Sequence, residues 1–312
     1  MKSLLEQLKE KILLMDGAMG TILQSRGLPV GTPSALWTLE RPEEVKKVHQ
    51  EYVSAGAEVI FTNTFTASRK YIESSKIPPG PPLSKGGKQK LPPLEKGGGG
   101  GFVREINHTA VQLARETAGD KGWVAGSVGP AGNAENYREQ IEVLAQAGVD
   151  LIALETMTNQ KETEIAVKAA KSYIINDKTP LMVSMTVNER GLLPSNEDPL
   201  LIIPFLEKNG ATIIGLNCSE GPESIYPVFK KMQKQTQLPI SIKPNTICNS
   251  PHPPLKLRGG ERGSYSDDEF VQWAKRFIDE GANLIGGCCG TTPETIRQMA
   301  KALSPNFQQA VW

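Results

Sequence analysis

Four segments of this chain align with one another without gaps. They are A-G-A-E-V-I-F-T-N-T (55–64), A-G-V-D-L-I-A-L-E-T (147–156), N-G-A-T-I-I-G-L-N-C (209–218) and E-G-A-N-L-I-G-G-C-C (280–289). Each opens on a glycine that suits a left-handed helix cap: Gly56, Gly148, Gly210 and Gly281. Each then enters a short apolar run that reads as a buried strand. A helix end feeding a buried strand, repeated four times, is the grammar of alternating α and β units around a parallel sheet.

The rest of the chain fills in that pattern. β-rich runs occur at 12–15, 58–62, 123–127, 150–155, 180–187, 212–217, 239–243 and 283–287, with helical spacing of apolar residues at 42–55, 103–118, 161–173 and 267–280. A last helix is expected over 293–302, with Thr292 as its N-cap and Pro293 at its first position. Eight such units in 312 residues predict a (β/α)8 TIM barrel occupying the whole chain. An open doubly wound sheet is the competing architecture.

In a barrel the four aligned segments are strands two, four, six and eight. Alternate strands supply one interior layer, and active sites sit at the C-terminal mouth. The last two columns of the alignment are Asn63/Thr64, Glu155/Thr156, Asn217/Cys218 and Cys288/Cys289. Register alone therefore gathers Asn63, Thr64, Glu155 and Asn217, expected to bind substrate, and three thiols around one place. A shared loop grammar explains the glycines and the apolar runs, but not polar or thiol residues at all four ends. Three thiolates suit Zn²⁺ and leave its fourth position open for chemistry. One zinc per chain on Cys218, Cys288 and Cys289 is the expected metal site. Buried structural thiols are the plain alternative.

The odd-numbered strand ends add polar groups. The first ends in D-G-A-M-G-T, placing Asp16 at the mouth and letting the backbone of Gly17, Ala18 and Met19 approach a ligand such as a carboxylate. The third ends in G-S-V-G-P with Ser127, and the seventh in K-P-N with Asn245. His49, His108 and His252 fall at no expected strand end and receive no role.

Net charge is +1, which gives no electrostatic reason to expect nucleic acid as a partner. No apolar run reaches about 18 residues, so no membrane partner is expected. Four cysteines are too few for a secreted disulfide framework, and the N-terminus lacks a signal-peptide core. A cytoplasmic location is the expectation.

The motifs D-G-A-M-G-T, T-N-T-F, S-V-G-P, L-E-T, G-L-N-C and G-G-C-C-G-T-T-P together resemble the homocysteine S-methyltransferase family across nearly the whole chain. The resemblance implies a zinc-dependent enzyme that moves a methyl group onto the thiolate of homocysteine, giving methionine. It also implies that the substrate sulfur takes the open zinc position, that Asp16 and Glu155 lie near the substrate ammonium, and that Gly17–Met19 lie near its carboxylate. The short S-V-G-P-A-G-N segment is similar to the homocysteine-binding module of cobalamin-dependent methionine synthase. That likeness implies a methylcobalamin or 5-methyltetrahydrofolate donor supplied by a separate partner. S-methylmethionine or S-adenosylmethionine is the alternative donor. A zinc-thiolate redox sensor is the alternative of another class, and Asp16 and Glu155 argue against it because a sensor needs no amino-acid clamp.

Two stretches depart from the family pattern, at about 77–101 and 250–263. They share P-P-L-S-K-G-G, P-P-L-E-K-G-G and P-P-L-K-L-R-G-G, rich in Pro, Gly and Lys. Such composition offers almost nothing to bury and is expected to form mobile insertions, with a docking arm as the functional alternative. Cys248 borders the second stretch and is expected to be a bystander thiol.

Overall fold

Among the described residues, eight short runs of apolar residues become eight parallel strands: β1 Leu13–Leu14, β2 Val59–Phe61, β3 Trp123–Val128, β4 Leu151–Met157, β5 Leu181–Met185, β6 Ile213–Cys218, β7 Ile240–Pro244 and β8 Leu284–Ile285. The computed structural model describes residues 2–74, 99–177, 179–247 and 264–303. Strand order in the sheet is β1-β8-β7-β6-β5-β4-β3-β2. A parallel bridge between Met15 and Val59 joins its two ends. Across the same seam Glu58 N donates to Leu14 O at 2.8 Å and Asp16 N to Val59 O at 3.0 Å. The sheet is thus closed into a (β/α)8 barrel, and the open doubly wound alternative is excluded.

Strand alternation sorts the side chains into two apolar layers. Leu14, Ile60, Val124, Ile152, Val183, Ile214, Ile242 and Ile285 pack outward against the helices. Leu13, Val59, Trp123, Leu151, Met182, Ile213 and Leu284 pack inward together with Leu4 and Leu8. Those two leucines come from the helix Leu4–Leu8, which a Ser3/Glu6 capping box starts. This helix plugs the barrel at the ends where the strands begin. Following the inward parity up each strand, the apolar residues give way to Ser127, Glu155, Asn217 and Lys243, all buried. The mouth is therefore polar because of register alone.

The helix boundaries follow local chemistry. Pro42–Ala55 starts with Pro at its first position and ends at Gly56, whose φ is 106°. Gly148, Gly210 and Gly281 also have positive φ, at 83°, 92° and 100°. Thr295 N donates to Thr292 Oγ1 at 3.2 Å, the expected cap of Pro293–Leu303. The helix expected to begin at residue 103 begins at Gly99 and runs to Ala118, so it includes the last glycines of the first expected insertion. The remainder of that stretch, the whole of the second, Cys248 and His252 lie outside the described residues. Among the described residues no helix is long and apolar enough to cross a membrane.

His49 lies in Pro42–Ala55, fully buried, and neither ring nitrogen has a hydrogen-bond partner among the described residues. Burial lowers its pKa from 6.5 to about 4. The unfolded chain therefore takes up the proton first, so this residue's contribution to stability is intact above about pH 6.5 and is lost as pH falls towards 4. The full loss is about 3 kcal/mol. His49→Leu should flatten that part of the profile. Urea unfolding at a series of pH values checks it, and parallel curves for the two proteins would refute it.

Candidate active site

The three thiols meet at the mouth by two different routes. Cys288 and Cys289 sit in the turn after β8, held by Cys288 N donating to Pro244 O at 2.8 Å and Thr246 N to Cys289 O at 3.1 Å. The turn needs its glycine: a Cβ on Gly287 would lie 2.3 Å from Thr291 Cγ2. Cys218 ends β6 directly after the inward-facing Asn217, so alternation would send it to the opposite face. Its φ of 58° departs from the strand geometry at that point. The three Sγ atoms lie within 4.8 Å of one another, with Cys218 and Cys289 at 3.9 Å. A tetrahedral zinc with Zn–S bonds of about 2.3 Å needs sulfurs about 3.8 Å apart, so the donor set fits that ion. Mutual thiol contacts, which push in both directions, and then burial leave all three pKa values raised to about 12. Three sulfurs this close can all ionise only around a cation.

Beside the thiols lies a buried charge cluster. Glu155 Oε2 accepts from Ser127 Oγ at 2.6 Å, and Oε1 accepts from Lys243 Nζ at 3.0 Å. Lys243 Nζ also sits 3.4 Å from the centroid of the Phe61 ring, a cation–π contact. Burial pulls the Lys243 pKa down, but the charges of Glu155, Asp16 and Cys288 outweigh it and raise it. Asp16 Oδ2 accepts from Phe61 N at 2.8 Å. Asp16 Oδ1 is buried with no partner among the described residues. Burial raises the Asp16 pKa to about 7, against the opposing pull of Lys243 and the Phe61 N–H. Two carboxylates and one ammonium leave an unfilled acceptor and, when both acids are ionised, one negative charge in excess. A cationic group would complete the cluster.

The remaining expected residues lie at the same mouth, largely engaged with the protein. Asn63 Nδ2 donates to Ser34 O at 2.8 Å and Thr38 Oγ1 at 3.2 Å. Thr64 Oγ1 donates to Ser127 O at 2.6 Å. Ala18 N donates to Thr291 Oγ1 at 3.0 Å, and Tyr52 Oη donates to Ala18 O at 2.8 Å. Gly17 is needed there, since a Cβ would meet Thr291 Oγ1 at 2.6 Å. Met19 precedes the helix Gly20–Ser25 as its N-cap. Asn245 Nδ2 donates to Ser219 O at 2.7 Å, while its Oδ1 is buried with no partner among the described residues. Asn217 spans between strands: Thr156 N donates to its Oδ1 at 2.9 Å, and its Nδ2 donates to Thr156 Oγ1 at 2.8 Å.

The profile of the Homocysteine S-methyltransferase family matches residues 13–303. The chain belongs to that family. It is 32% identical to Homocysteine S-methyltransferase 2 of Zea mays over 322 residues, covering 95% of this chain and 92% of the maize protein. It is 28% identical to Methionine synthase of Mycobacterium leprae (strain TN) over 328 residues, covering 96% of this chain but 25% of that protein. The metallated form of the homocysteine methyltransferase MmuM from Escherichia coli superposes with a TM-score of 0.72 at 24% identity, covering 94% of this chain and 96% of that one, which bears on the fold. The chain is a homocysteine S-methyltransferase, an enzyme that transfers a methyl group to homocysteine.

The candidate site of this homocysteine S-methyltransferase also draws on residues outside the expected set. Lys243 was visible in K-P-N as a polar strand end, but its partner Glu155 lies 88 residues away. Thr291 has two tasks: its hydroxyl donates to Cys288 O at 2.7 Å and accepts from Ala18 N at 3.0 Å. It thus ties the thiol turn to the loop after β1. Its position in G-C-C-G-T-T was the only signal. Tyr52, on a helix and remote in sequence, gave none.

Proposed function

We propose that Cys218, Cys288 and Cys289 hold one Zn²⁺, and that the chain methylates homocysteine with a methyl group from a methylcobalamin or 5-methyltetrahydrofolate system carried by a separate protein. The observation that carries the zinc reading is the clustering of three sulfurs at the spacing of a tetrahedron edge. When bound, zinc supplies a Lewis acid that lowers the pKa of a coordinating substrate thiol from about 8.5 and keeps it nucleophilic at neutral pH. The chain's own residues bind and orient. Asp16 Oδ1 is the open buried acceptor for the α-ammonium, with Glu155, fixed by Ser127 and Lys243, as the second carboxylate facing it. The substrate carboxylate is assigned to the backbone of Gly17 and Met19, since Ala18 N is engaged with Thr291 Oγ1. The sulfur attacks the donor methyl carbon in line, the bond to the donor breaks, and methionine forms. The fold's contribution is placement of the reacting atoms.

The cobalamin or folate reading is supported by the short segment after β3 and by the match to a quarter of a methionine synthase. A second reading, with S-methylmethionine or S-adenosylmethionine as donor, is supported by the near full-length match to the maize homocysteine S-methyltransferase. A donor panel with purified protein and homocysteine decides between them. Methionine formation from methylcobalamin is the expected result. Robust turnover of free S-methylmethionine with none from methylcobalamin reverses the assignment.

A further inference from the structure

β4 does not run straight to its end. Its register against β5 shifts between Leu154 and Met157, and Thr156 within that interval has a φ of 58°. A β-branched residue in the left-handed region is held there by its surroundings. Register already puts Glu155 on the inward face, and a bulge directly after it fixes the final direction of that side chain. The group that holds the bulge comes from β6. Asn217 Oδ1 accepts from Thr156 N at 2.9 Å, the backbone donor that the bulge removes from the ladder, and Asn217 Nδ2 donates to Thr156 Oγ1 at 2.8 Å. The same Nδ2 lies 4.0 Å from Cys288 Sγ. Asn217 also directly precedes Cys218, and Cys218 and Ser219 are left-handed, with φ of 58° and 62°. One buried amide therefore touches the bulge of strand four, the thiol turn after strand eight and the end of strand six.

We infer that Asn217 is a positioning residue that couples the two halves of the site. Its amide closes the β4 bulge and so aims Glu155, and it orients the Cys288 thiol. It acts through these groups and not on the substrate, since its carbonyl and an N–H are already committed to Thr156. The inference rests on the zinc reading only for its metal half. Its Glu155 half rests on homocysteine being the substrate. Glycine would relax the backbone at 156 and keep the N–H that Oδ1 accepts, so what threonine adds is the hydroxyl that accepts from Nδ2.

The test uses Asn217→Ala and Asn217→Asp in the full chain. Aspartate keeps the acceptor for Thr156 N, and the Thr156 hydroxyl can turn to donate to it. Homocysteine affinity is measured by calorimetry with zinc held at a saturating concentration for each variant, and zinc affinity by competition with a chromogenic chelator in the absence of homocysteine. Asn217→Ala should weaken homocysteine binding by about tenfold or more, the loss of an aimed charge-assisted contact. It should weaken zinc binding by about 10- to 100-fold, as for other residues that orient metal ligands. Asn217→Asp should restore homocysteine affinity to within about threefold of the wild type, on the scale of one neutral hydrogen bond. If Asn217→Ala misfolds, the aspartate variant still tests the idea, because a homocysteine affinity tenfold or more below wild type overturns it. Effects on only one of the two ligands in Asn217→Ala, or an aspartate variant no better than alanine, also overturn the coupling. Wild-type protein that retains no zinc would instead defeat the metal assignment. The homocysteine half would still stand or fall on its own measurement.

Discussion

Serine at Cys218, Cys288 or Cys289, one at a time, is expected to strip zinc from the chain and to lower methyl transfer by at least about a thousandfold. The three sulfurs lie within 4.8 Å of one another, so each supplies one corner of the same site. A serine hydroxyl does not ionise near neutral pH and is a poor ligand for a soft site, so two thiolates remain. Without the metal, a homocysteine thiol with a pKa near 8.5 is only about 3% thiolate at pH 7. The loss of transition-state charge stabilisation by a Lewis acid, several kcal/mol, adds to that. Cys→Ser is nearly isosteric, so the melting temperature of the metal-free variants should match that of metal-free wild type. Cys248→Ser is expected to retain zinc and activity, because that thiol fits none of the strand-end positions. Emission spectroscopy for metal and an initial-rate assay for methionine make the comparison. Full zinc retention in any of the three single variants would reject the ligand set.

The barrel was legible because its repeat is strict. Four glycines with positive φ, at 56, 148, 210 and 281, set four strand starts in register, and register placed the residues at the strand ends. Composition of the short runs was enough to locate all eight strands to within a few residues, since each is bounded by a turn or a helix cap. What alternation could not give is which way a strand-end residue faces once the backbone leaves strand geometry. Strict alternation puts Asn217 and Cys218 on opposite faces; the φ of 58° at Cys218 breaks that rule. The same holds for Thr156, where a left-handed φ and a register shift against β5 are invisible in a run reading L-I-A-L-E-T-M. Lys243 stands at a visible strand end, but its role was hidden for another reason. Its meaning lies in a contact across the barrel with Glu155 and Phe61, and no local pattern records a contact formed only when the sheet closes. The carboxylates at 16 and 155 were found, but the fact that one of them is already paired, and the other holds the open oxygen, belongs to the folded chamber.

Glu155→Gln is expected to weaken homocysteine binding by about 10- to 100-fold while leaving zinc content unchanged, and to destabilise the fold by about 3 kcal/mol. The first effect follows from the proposed function, in which Glu155 is one of the two carboxylates assigned to the α-ammonium. The second follows from Lys243. Its side chain and that of Glu155 are only 6% and 7% exposed, with Nζ and Oε1 3.0 Å apart. A neutral glutamine leaves that ammonium buried with the Phe61 ring and the field of Asp16 as its remaining compensation. Breaking a buried pair from one side strands a charge, whereas replacing both partners with neutral groups of similar shape does not. The double variant Glu155→Gln with Lys243→Met should therefore recover most of the lost stability and little of the lost homocysteine affinity. Denaturant unfolding gives the stabilities, and calorimetry with homocysteine and its desamino analogue 4-mercaptobutanoate gives the binding. The affinity gap between those two ligands measures recognition of the ammonium, and it should narrow in the single variant and stay narrow in the double. If Glu155→Gln leaves the gap at its wild-type size, Asp16 alone reads the ammonium and Glu155 serves only to hold Lys243. If the double variant is no more stable than the single, the charge left on Lys243 is not what destabilises the protein.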